Sequence, residues 1–279
     1  MRHAWVRRWV SLALVCSLAG CATAAVPYVG QGPYPQITRG RPIAPIDALG
    51  NVFGVLTKLL LWNRKADNHA ISAQTEARLT EYLDAPRSAA AGTHFSLNEY
   101  APGRAMSRLV HNHKVAWPYR VLLGFPITLV LDVLIPGRLF AGLIGGDVYN
   151  PFTDTVSIYS DLPSVALHEA GHAHDFNSRR WKGTYAALRL IPGVDLYQEY
   201  KATDEAIAYL IESRQEEEEL AAYQVLYPAY GSYVGGYLFP PIGTLAGVLI
   251  GHSLGRTQAM TKARFYRREA VIRDTIAAQ

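Results

Sequence analysis

His168, Glu169 and His172 are the residues whose types and spacing could act together chemically. Residues four apart stand one above the other on an α-helix, so both imidazoles can reach one ion at about 2.0–2.1 Å, the usual zinc–nitrogen distance. Glu169 falls beside them, where a carboxylate can accept a proton from a water held at that ion. The chemistry expected of such a group is metal-assisted hydrolysis. Asp175 lies seven residues after His168 and three after His172, on the same helical face. A ligating imidazole normally gives its second N–H to a carboxylate or carbonyl, which makes Asp175 a supporting candidate.

The run His168-Glu169-Ala170-Gly171-His172 matches H-E-x-x-H and resembles the zinc metallopeptidases that carry it. Its flanks, Val165-Ala166-Leu167 and Ala173, are uncharged as in those enzymes, whereas His174 departs from their pattern. A metzincin would need Gly at 175 and His or Asp at 178; Asp175 and Ser178 exclude that class. Glu199-Tyr200-Lys201-Ala202, with 26 residues between His172 and Glu199, is similar to the E-x-x-A segment of gluzincins. This motif-level resemblance covers roughly 149–210. It implies Zn2+ held by His168, His172 and Glu199, with Glu205 as the replacement third ligand and Asp204 next. It also implies Glu169 as catalytic base, Asp204 as a second supporting carboxylate, and Tyr197 or Tyr209 as donor to the oxyanion. The fold it implies is a zincin-like α+β domain, with a small sheet beside the motif helix and a glutamate helix across it.

The elements needed to position these groups can be read around them. At 155–159, Val156 and Ile158 alternate with polar residues, the period of a half-exposed edge strand that could hold an extended peptide. Asp161 is suited to cap a helix and Pro163 to its first turn, with Gly183 as a stop. Ala202, Ala206 and Tyr209 share a face with Glu199, and the two alanines would let that helix come close to the motif helix. Upstream, apolar residues from Val52 to Trp62 recur at helical spacing, a second helix starts at Ser72 and buries Leu79, Tyr82 and Leu83, and 94–98 reads as a strand. The stretch 121–144 is apolar but broken by Pro126, Asp132, Pro136 and Arg138, which suits buried or membrane-grazing helices. His111-Asn112-His113 spells HNH, but nuclease sites of that name are spread over a larger module, so it reads as a loop.

The N-terminus carries a targeting pattern. A basic start, an apolar run at 9–18 and Leu18-Ala19-Gly20-Cys21 resemble a lipoprotein signal with its lipobox, implying an acylated Cys21. Removing Arg2, Arg7 and Arg8 leaves 24 Lys+Arg against 23 acids, so the basic balance gives no case for nucleic acid. Only Cys21 would remain, which leaves no internal disulfide. Ala22 rather than Asp after the cysteine favours the outer membrane over the inner, with the domain facing the periplasm. The expected division is a signal peptide (1–20), the lipidated cysteine and a tether (21–45), the catalytic domain (46–220), an apolar glycine-rich helical hairpin (221–257) and a basic helical tail (258–279).

The hairpin segment has no Asp, Glu, Lys or Arg between Leu220 and Gly255, and Pro240-Pro241 divides it. Gly243, Gly247, Gly251 and Gly255 recur every four residues, a stripe that permits close helix contact. It can be read as a hairpin buried in the domain, as one membrane crossing, or as an interfacial or self-associating element. The expected function is a membrane-anchored peptidase acting on envelope proteins or peptides. The alternative is a non-catalytic lipoprotein that works through the hairpin, with a structural zinc completed by His174 or Asp175.

Overall fold

The computed structural model describes residues 25–26, 34–86, 88–90, 92–143 and 145–277; the signal segment and Cys21 lie outside them. The fold is α+β. In β3 (His94–Leu97) and β5 (Thr155–Ile158), period-two alternation places Phe95 and Leu97 opposite Val156 and Ile158 in a parallel register. All four side chains are fully buried. β2 (Ile37–Gly40) runs parallel to β3, β1 (Ala25–Val26) lies antiparallel outside it, and β4 (Val148–Asn150) lies antiparallel outside β5. The order is therefore β1-β2-β3-β5-β4.

This topology corrects two expectations. Residues 37–40, read from composition as tether, are a strand of the sheet. The strand at 155–158 is interior and buried along its length, and the edge on that side is β4. Alternation alone cannot distinguish a half-exposed strand from one whose polar residues, here Thr155 and Ser157, are covered by other parts of the chain.

The helices follow from local signals with some revisions. α1 (Ala44–Phe53) and α2 (Val55–Leu61) meet at Gly54 with a 48° bend instead of forming one helix. A Cβ at Gly54 would stand 2.5 Å from the Asp67 carbonyl oxygen, so the bend sits where another loop crosses. α3 (Ala73–Asp84) is capped by Ser72, whose Oγ accepts the Thr75 N–H, and it buries Leu79, Tyr82 and Leu83. α4 spans Pro102–His111, and α5 (Trp117–Leu134) continues with its winding loosened to π-type turns on both sides of Phe125–Thr128. α6 (Pro163–Ser178) carries the histidine motif. Asp161 does not cap it. Its carboxylate accepts instead from the Ser72 N–H at 2.9 Å and the Thr75 hydroxyl at 2.7 Å, tying the start of α3 to the start of α6. α6 also stops at Ser178; Gly183 belongs to α7 (Lys182–Leu188), pressed against the Tyr119 ring. α8 (Val194–Glu212), α9 (Glu216–Leu238) and α10 (Ile242–Ala277) complete the chain.

The main core joins the apolar sheet face to α3 and α6 through Leu79, Tyr82, Leu167 and Ala170, and extends to Ala206 and Leu210 of α8. α9 and α10 form an antiparallel hairpin around Pro240-Pro241. Its arms are longer than the apolar segment, and the tail after 257 is the continuation of α10. The glycine stripe is consumed inside this hairpin. Cβ atoms at Gly243, Gly247 and Gly255 would approach the carbonyl oxygens of Gly235, Gly231 and Tyr223 to 2.3, 2.0 and 2.2 Å, and Gly251 abuts Pro228. The four glycines are thus in close contact with α9 of the same chain, Gly251 and Gly255 buried and Gly243 and Gly247 half-buried. Gly247→Val should therefore destabilise the folded chain by about 1–3 kcal/mol, read as a lower denaturant midpoint with no change of oligomeric state.

Candidate metal centre

The histidine helix and the glutamate helix meet because both are stripped to small residues where they cross. A Cβ on Gly171 would stand 2.8 Å from the Ala202 carbonyl oxygen and 3.3 Å from Glu205 Cβ. Ala170, Ala202 and Ala206 are fully buried in the same seam. This contact lets Glu199 reach the imidazoles. His168 Nε2 and His172 Nε2 stand 3.1 and 3.3 Å from Glu199 Oε2. A tetrahedral ion with bonds of about 2.0–2.1 Å requires neighbouring donors about 3.3 Å apart, so the spacing fits such an ion. His168, His172 and Glu199 form a buried group able to hold a metal ion.

The surrounding charges are arranged about Glu199. Its Oε1 receives the Arg189 guanidinium, and Oε2 faces both imidazoles. Burial works against its ionised form, yet the charge of His172 and the hydrogen bonds of both histidines hold its carboxyl well below the usual range. For His168 burial alone would lower the pKa. The hydrogen bond to Glu199 and the charges of Glu169 and Glu199 outweigh it, and the net shift is upward. Glu169 is raised, chiefly by burial and against the pull of His172 and His168. The second nitrogen of His168 meets Thr203 Oγ1 at 3.2 Å; with Nε2 turned to an ion, Nδ1–H donates to that hydroxyl.

All these groups line one open cavity of about 510 Å³. Asp147 and Asp67 line it too, and burial, then Asp147, pushes the Asp67 carboxyl up to about 7. From the hairpin side come Tyr230 and Tyr233. The charge of Glu199, then burial, then Glu169 raise the Tyr233 hydroxyl far above the usual phenol range, so it stays a donor.

Several expected residues stand elsewhere. Glu205 faces the Tyr82 hydroxyl at 3.2 Å and His174 at 3.8 Å, outside the donor group. Asp204 is a half-exposed acid beside Lys201. Asp175 lies in the cavity wall, but its oxygens are taken by Arg179 and Tyr185 rather than by a ligand histidine. Its position on the right helical face left open which neighbour would claim it, and the chain returning through α7 does so. Tyr209 packs edge-on against Tyr82 in the core, and Tyr197 is half-exposed and hydrogen-bonds Arg179 rather than lining the cavity. Thr203 lies four residues after Glu199 on the same helical face, a spacing from which its place beside the site could have been found. Nothing in local spacing pointed to Arg189, Asp147 or Tyr233, which arrive from other elements.

No family model, curated protein or solved structure matches the chain.

Two expectations follow from the seam and its charges. Gly171→Val should push α8 away and weaken metal binding by about tenfold or more, measured by competition with a chromogenic chelator. Metal needs a neutral His168, and this imidazole holds its proton above the ordinary histidine range. Binding should therefore weaken as pH falls through that raised pKa and release a proton, seen as a buffer-dependent heat in titration calorimetry.

Proposed function

We propose that the chain is a membrane-anchored zinc metallopeptidase of gluzincin type, with a zincin-like arrangement of sheet, motif helix and glutamate helix. It would hydrolyse peptide bonds of envelope proteins or peptides. The observation that supports it most is the convergence of His168, His172 and Glu199 in the wall of an open cavity, with the buried Glu169 lining the same wall.

A zinc ion held by these three side chains would supply Lewis acidity towards the scissile carbonyl and the attacking water. Glu169, raised by burial, is suited to take the proton of that water and deliver it to the leaving amine. Tyr233, kept protonated and lining the same cavity, would be the donor to the carbonyl oxygen as negative charge develops there. Arg189 grips Glu199 through Oε1 and leaves Oε2 for the ion. Thr203 fixes the tautomer and tilt of His168. β4, whose Val148 and Tyr149 line the cavity, is the edge of the sheet among the described residues and would be the strand to pair with an extended peptide.

The setting follows from the N-terminal pattern: an acylated Cys21, a periplasm-facing domain and a preference for the outer membrane, with no nucleic-acid partner. The alternative, a structural zinc in a non-catalytic lipoprotein, needs a fourth protein donor. Its two candidates are engaged elsewhere, His174 with Glu205 and Asp175 with Arg179 and Tyr185, which weighs for the catalytic reading.

Purified protein should contain one zinc per chain by elemental analysis, and Glu199→Ala should lose it. Glu169→Gln should keep the metal while peptide hydrolysis drops by about 10²–10⁴. A wild-type protein without stoichiometric metal, or a Glu169→Gln variant with full turnover, would remove the peptidase assignment.

A further inference from the structure

Several helices that line the cavity also expose apolar side chains. α5 is the clearest case: 18 residues, about 27 Å of helix, with 11% of them buried. Leu122 is 72% exposed, and Val121, Phe125 and Leu134 also face outward. Both charged residues of α5 are engaged by other parts of the chain. Arg120 donates to the Leu109 and Val110 carbonyls, and Asp132 accepts from Asn150 at 3.0 Å. The bent pair α1–α2 repeats the pattern with Val52, Leu56 and Leu59 exposed, while Trp62 after it stacks on His252 beneath the Arg256 guanidinium. Its Lys58 folds back onto the carbonyls of Asn51 and Asp67, each at 2.9 Å. The hairpin turn adds Leu238, Phe239 and Ile242. Other residues of α2, α5 and the hairpin, among them Leu60, Leu131 and Val248, line the cavity, so the elements that carry the exposed apolar faces, here termed the collar, are also walls of the cavity.

The topology also fixes where a lipid anchor would emerge. Ala25 pairs with Gly40 at the end of β2, and α1 starts four residues later at Ala44. Three residues separate Cys21 from Ala25, four steps of chain with a reach of at most about 14 Å. An acyl group on Cys21 would therefore lie within that reach of Ala25.

From these observations we propose that the collar inserts into the interfacial layer of a lipid bilayer, with the cavity mouth facing the lipid. Its substrates would be polypeptide segments lying in or emerging from that bilayer. The substrate class rests on the peptidase reading above; the docking does not. Large exposed apolar patches on soluble proteins are uncommon, and charges engaged within the chain on two separate helices suit a lipid-facing surface.

The test uses the full lipidated chain in vesicles of phosphatidylethanolamine and phosphatidylglycerol, carrying one nitroxide at Leu56→Cys or Leu122→Cys, with Glu81→Cys and Asp204→Cys as controls. Collar labels should relax strongly with oxygen and weakly with a water-soluble nickel complex, and the controls should do the reverse. Collar labels as open to nickel as the controls would overturn the docking, and so would dipolar broadening that shows a second copy covering the collar. The double variant Leu56→Glu/Leu122→Glu should lose about tenfold or more in cleavage of a vesicle-embedded peptide while keeping cleavage of a soluble one. Equal loss on both peptides would overturn the substrate class. Immersed labels with neither peptide cleaved by the unsubstituted chain would remove the peptidase reading and leave the docking standing.

Discussion

The separation between α6 and α8 governs the rest of the molecule. A carboxylate can share an ion with two imidazoles only if its helix comes close enough for a short side chain to reach, and Gly171 against Ala202 provides that approach. Side chains one carbon larger in the seam would move Glu199 away from Nε2 of both histidines. Close packing transmits such a change instead of absorbing it, because protein interiors have little slack. The sheet serves the same end. Its apolar face and α3 clamp α6 from the side opposite the site, and Asp161 links the starts of the two helices.

Charge around the seam is balanced rather than absent. Glu199 is deeply buried, which would be costly for an isolated carboxylate, but it stands among His168, His172 and Arg189. Burial has the opposite effect on Glu169, where it wins over the neighbouring imidazoles and raises the carboxyl. Two carboxylates in one cavity are thus driven apart in proton affinity by their partners, one towards permanent ionisation and one towards proton exchange.

The apolar C-terminal half is a structural wall of the site as much as an appendage. Its glycines let α9 and α10 touch backbone to backbone, and the hairpin that results brings Tyr230 and Tyr233 into the cavity. Its outer surface, like those of α1–α2 and α5, carries exposed apolar side chains. The same stripe of small residues that resembles a self-association motif is spent within one chain.

What the sequence determined by itself is whatever depends on local periodicity. The i, i+4 spacing put His168 and His172 on one helical face, alternation made 94–97 and 155–158 strands, Ser72 fixed the start of α3, and Ala202 and Ala206 marked the face that carries Glu199. Tertiary structure decided which neighbours complete those faces. Asp175 was claimed by Arg179 and Tyr185, Thr203 took the place beside His168, and Arg189 and Tyr233 entered from segments ten and more than thirty residues from Glu199. It also made β5 interior and β4 the edge, and folded 37–40 into the sheet. The division has a physical cause: helical and strand periods are set by bonds between near neighbours, whereas which groups meet across a cavity depends on how distant segments close, and no local spacing encodes that.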